Sequence, residues 1–115
     1  MLYTTVEING KEYKCRLTAR AMIDLEKRLG GSPINTFMSM ASSNTFPELD
    51  TLIKIFHASL QAFHHDITMD KTYELYDAMV DEGKTMVDLL NTIVEIFQNS
   101  GMIPKDLGDN SERKN

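Results

Sequence analysis

His57, His64, His65 and Asp66 are the side chains in this sequence whose types could hold a metal ion, and Cys15 is the single thiol that could act as a nucleophile. His57 and His64 stand seven residues apart. On one helix face that is two turns and roughly 10 Å of rise, too far for one ion. His64 and His65 are adjacent and point in different directions, whereas a metal site needs three or four converging ligands. These residues read better as solvated histidines, or as histidines near a helix C-terminus that complement its dipole. Cys15 alternates onto the apolar side of a strand, where a thiol is an inert small hydrophobe unless folding brings a histidine to it. The Gly30-Gly31 pair lacks the spacing and the following Lys-Ser/Thr of a phosphate loop, so it reads as a helix stop. No catalytic, cofactor-binding or metal-ligating set emerges. The expectation is a chain that is not an enzyme, needs no cofactor or metal, and works by binding proteins.

Bulk properties narrow the class further. With 115 residues, 42% hydrophobic and 25% charged, the chain has the size and composition of one globular domain. A formal charge of -5 without any basic run argues against binding nucleic acid backbones. The lone cysteine excludes an internal disulfide. The first residues lack the basic start and apolar core of a signal peptide, and no stretch is long enough to span a bilayer. A cytoplasmic protein with no membrane partner is expected. The acidic run Glu74, Asp77, Asp81 and Glu82 could meet a basic partner, but charges of this kind ordinarily form the wet face of an amphipathic helix.

The elements that must position any functional residue follow from turns, caps and periodicity. Asn9-Gly10 is a hairpin signal, because both residues tolerate the positive φ of a type I′ turn. Centring the turn there sets Ile8 opposite Lys11, Val6 opposite Tyr13, Thr4 opposite Cys15 and Leu2 opposite Leu17. One face then carries Leu2, Val6, Ile8, Tyr13, Cys15 and Leu17, a division that a one-residue slip would scramble. Thr18 is an N-cap for a helix over Ala19 to Leu29, and Ser32-Pro33 can restart a short helix through Ala41, followed by a polar break at Ser42-Ser43-Asn44. Thr45-Phe46-Pro47-Glu48 fits a capping box before a stripe of Leu49, Leu52, Ile53, Phe56, Leu60 and Phe63. Thr68 caps a helix ending at Gly83. Thr85 and Asp88 resemble a second capping box, ahead of Met86, Leu89, Leu90, Ile93, Val94 and Phe97. The predicted fold is α+β and mainly α-helical, with an N-terminal β-hairpin packed on a bundle of four to five helices. Residues 1–104 form the single domain, and 105–115 form a polar, flexible C-terminal tail.

Two segments together carry a resemblance. The second hairpin strand, Gly10-Lys11-Glu12-Tyr13-Lys14-Cys15-Arg16-Leu17-Thr18, leads directly into a helix containing Asp24-Leu25-Glu26-Lys27-Arg28-Leu29-Gly30. This plan, with the helical layout to about Met102, resembles the tail assembly chaperones of long-tailed bacteriophages and their prophage relatives. The resemblance implies a non-catalytic role in the host cell cytoplasm, outside the mature virion. The implied partners are the tape measure protein, which such chaperones coat, and the tail tube protein, with self-association. In many such systems a minus-one frameshift yields a longer product, and Arg113-Lys114-Asn115 is compatible with the slippery heptamer A-AAA-AAC, the competing explanation being a polar tail cut by an ordinary stop codon. The alternative is a small phage- or prophage-encoded regulatory or adaptor protein that also acts by protein–protein binding. Two surfaces suit either role: the edges of the hairpin, which could add strands, and the segment around Phe37, Met38 and Met40. For both, packing within the chain is the competing explanation.

Overall fold

The computed structural model describes residues 2–106. Two antiparallel strands, β1 (Thr4–Ile8) and β2 (Lys11–Cys15), precede five helices. These are α1 (Ala19–Leu29), α2 (Pro33–Ser43), α3 (Leu49–Leu60), α4 (Met69–Asp81) and α5 (Met86–Asn99). The expected α+β, mainly helical architecture is the one observed. The expected tail, 105–115, lies almost wholly outside the described residues, as does Arg113-Lys114-Asn115.

The hairpin has the register that its turn dictates: Thr4 pairs with Cys15, Val6 with Tyr13 and Ile8 with Lys11. Asn9 and Gly10 take φ values of 53° and 78°, the left-handed region that Asn and Gly enter at least cost. Val6, Ile8, Tyr13, Cys15 and Leu17 are buried as expected, but Leu2 is exposed. Leu2 lies before the first ladder residue, and Thr4 takes the place at the core instead. Its buried hydroxyl accepts a 2.9 Å hydrogen bond from Asn99 Nδ2, which meets the cost of burying a polar group.

Helix α3 is the axis of the molecule, touching α1, α4, α5 and β2. Surrounded in this way, it is buried nearly all round: Ile55, Ala58 and Ser59 join Leu52, Ile53, Phe56 and Leu60 inside. Its start corrects the sequence reading. Glu48 is the N-cap and makes no side-chain cap bond, so Thr45 does not open the helix. A box at Thr45 would require Phe46 to be helical immediately before Pro47, a conformation that the proline ring disfavours. The other end differs too. Helix α3 stops at Leu60, and Phe63 falls in the following turn, held by a bond from its N–H to the Leu60 carbonyl. Gln61 locks that turn by donating from Nε2 to the Ile67 carbonyl at 2.9 Å.

Threonine capping succeeds elsewhere. The Thr18 and Thr68 hydroxyls accept from Ala21 N and Lys71 N, and Thr85 with Asp88 forms a complete capping box. Helix α2 runs through Ser42 and Ser43, beyond the expected break, and ends where Asn44 turns left-handed at φ 59°. Serine is tolerable in a last helical turn, and Ser43 Oγ donates back to the Ser39 carbonyl.

Candidate partner-binding surface

The thiol and the histidines are spent on structure. Cys15 is completely buried, and burial pushes its thiol up to about 12, with a weaker opposing influence from the Ser59 hydroxyl. A thiol in that state is protonated at neutral pH and a poor nucleophile. The histidines do not converge, and among the described residues no three of His, Cys, Asp and Glu gather closely enough to hold a metal. His57 Nε2 sits 3.1 Å from both the Ile67 carbonyl and the Gln61 side-chain nitrogen, within the turn that follows α3. Burial lowers the His57 pKa, the Ile67 bond opposes this, and Arg28 adds to the lowering.

His64 ties the hairpin to the end of α3. Its Nε2 accepts a 3.0 Å hydrogen bond from the Lys14 backbone N–H, and its ring lies 5.4 Å from Tyr13. Only an unprotonated Nε2 can accept, so protonation breaks the tie. The His64 pKa is lowered by burial first, then by Lys11, Lys14 and His65, against Asp66. A lowered folded pKa means that the stabilisation is whole above the ordinary histidine value near 6.5 and is lost as pH falls through the folded value. The denaturation midpoint should therefore fall between pH 7 and pH 5.5, and His64→Gln should flatten part of that dependence. An unchanged midpoint slope in His64→Gln would remove His64 as the cause.

The hairpin has further anchors that sequence reading missed. Glu82 Oε2 accepts from Asn9 N at 2.6 Å, so one member of the acidic run holds the β-turn. Arg16 N donates to the Ser59 carbonyl and Leu17 N to Ser100 Oγ, both at 2.8 Å. The end of β2 is thus closed by side chains and backbone of the helices, leaving less free edge than a bare hairpin would present. Periodicity could not reveal these bonds, because each joins positions far apart in the chain.

The segment singled out for partner contact is divided by the helix. Phe37 is half-buried and meets Phe97 edge-on, with ring centres 6.3 Å apart, above a slot formed by Leu52, Ile55, Leu90 and Ile93. Met40 is likewise half-buried against the core, while Met38 is 42% exposed on the outer side. Gly30-Gly31 precedes α2, and apart from Pro33 none of its described residues is fully buried. A second apolar surface lies between α3 and α4, where Leu49, Ile53, Tyr73 and Tyr76 line a recess of about 250 Å³ beside Asp50 and Asp77. Leu49 and Tyr73 remain exposed there. Among the described residues no helix is long and apolar enough to cross a membrane.

Comparison with known proteins places these features in a family. Residues 2–113 match the model of a family of unknown function, DUF6096. No curated protein and no solved structure matches the chain. A match spanning nearly the whole chain means that this protein belongs to the DUF6096 family.

Proposed function

We propose that this protein is a phage tail assembly chaperone, a non-catalytic protein that binds the tape measure protein and assists tail tube assembly. The observation that carries the proposal is α2, an apolar helix held to the core by half-buried Ile34, Phe37 and Met40 while Met38 faces outward. An element with so little buried surface opens at low free energy, which suits a side that trades contacts within the chain for contacts with a client. Methionine and phenylalanine also adapt to varied apolar partners. The sealed thiol and the histidines committed to backbone bonds are in keeping with a binding role. The hairpin leading directly into α1 matches the plan on which the resemblance to tail chaperones rests.

Coexpression with the tape measure protein of the same genome tests the proposal. The soluble fraction of the tape measure protein should rise, and the two should copurify. Met38→Glu, at an exposed position, should weaken copurification while leaving the fold intact. Unchanged solubility together with failed copurification would overturn the assignment.

A further inference from the structure

A groove of about 430 Å³ runs between α1 and the end of α3, and it shares no lining residue with the α3–α4 recess. Its floor is made of small and apolar side chains: Leu25 and Ala58, both buried, with half-buried Ala21 and Ala62. One wall is a charged row on α1, Arg20, Asp24 and Arg28, at intervals of four residues. All three are exposed, and among the described residues neither arginine lies within ion-pair distance of a carboxylate. The opposite wall carries His57, Gln61 and His65.

The shape selects an elongated occupant. From Thr18 to Arg28, the span of α1 that lines the groove, the helix rises roughly 15 Å. That is the length of about three helical turns. Alanines on the floor let another helix approach closely, since interaxial distance follows side-chain size. The charges select the sequence of that helix. Arg20 and Arg28 lie roughly 12 Å apart along the axis, with Asp24 between them. A complementary helix has an acidic residue toward each end and none opposite the middle.

We infer that the α1–α3 groove is the docking site for an amphipathic helix of a partner protein, seated by small apolar side chains and clamped by carboxylates on Arg20 and Arg28. The groove does not depend on the identity of the client, so it stands or falls separately from the chaperone assignment. Arginine suits such a clamp because its planar fork meets a carboxylate with two parallel hydrogen bonds.

A fluorescein-labelled helical peptide, with an Ala/Leu face and two Glu about eight residues apart (roughly 12 Å on a helix), is the probe. It should bind saturably to the full chain, about tenfold or more tighter than the same peptide with Lys at both positions. Arg20→Glu with Arg28→Glu should reverse that preference. Both arginines are exposed, so circular dichroism should remain unchanged. Ala62→Gln, which narrows the trough, should weaken both peptides. Absence of saturable binding would overturn the inference, as would equal binding of the two peptides regardless of the arginines. So would full competition by a single-headed fatty acid, which would make the groove a site for a small amphiphilic anion. Self-association of the unliganded chain that is lost in the double arginine variant would also overturn it, identifying a second copy as the occupant.

Discussion

Phe97→Ala should lower the stability of this protein by ~3–5 kcal/mol, the usual range for removing a fully buried phenylalanine and leaving a cavity. Phe97 is completely buried on α5, and its ring is the surface on which Phe37 rests. The loss is a large share of the ~5–15 kcal/mol that typically separates folded from unfolded states. A chemical denaturation curve should show a much lower midpoint with little change in slope. Because Phe37 depends on the same ring, the two losses should not add. Phe37→Ala introduced into Phe97→Ala should cost less than in the wild type, by ~0.5–1.5 kcal/mol for an aromatic pair. Met38→Ala on the outer side of α2 should stay within about 0.5 kcal/mol of the wild type. A loss below about 1 kcal/mol for Phe97→Ala would contradict the packing of α2 and α5, since it falls under the range for such cavities.

The second large effect concerns Cys15. With its thiol pushed up from 9.0 to about 12, the thiolate fraction at pH 8 should be lower by about a thousandfold than for an unperturbed cysteine. Complete burial adds a steric block. Iodoacetamide should therefore leave the native protein unmodified over the time in which the urea-unfolded chain reacts fully. Any slow reaction in the native state reports the hairpin lifting from the helices, because Cys15 is on its inward face. His64→Ala and Glu82→Ala, which remove the acceptors that hold the Lys14 and Asn9 N–H groups, should accelerate labelling. Native labelling as fast as in urea would show that the thiol is not sealed between the hairpin and the helices.

Local signals in the sequence were legible where a few neighbouring residues determine the outcome. Asn9-Gly10 dictates the turn, and the turn dictates the register, so the inward positions of Val6, Tyr13 and Cys15 followed without knowledge of the helices. Thr18, Thr68 and Thr85 marked helix starts because an N-cap needs only its own first turn. Thr45 misled because the same local chemistry was present while Pro47 restricted the residue between. Phe63 continued the apolar stripe of α3, but the turn stabilised by Gln61 and Ile67 ended the helix first. Ser59 and Thr4 inside the core, Glu82 on the turn and the trough between α1 and α3 were not legible. Each depends on which elements meet, and a one-dimensional pattern does not carry that information. For the proposed partner segment, hydrophobicity drew notice to Phe37, Met38 and Met40 alike, and only helix phase separates Met38 from the other two.

The hairpin anchors also impose an order on synthesis. Tyr3, Thr4, Asn9, Lys14, Arg16 and Leu17 are held by Asn99, Glu82, His64, Ser59 and Ser100. The bonds from Ser100 and Asn99 span 83 to 96 positions. A two-stranded hairpin alone is marginal in water. The hairpin leaves the ribosome well before the residues that anchor it and must therefore wait for them, an interval of seconds at ~5–20 residues per second. During that wait the apolar side of the nascent hairpin is open to any chaperone, or to any aggregating strand, that reaches it before α5 arrives.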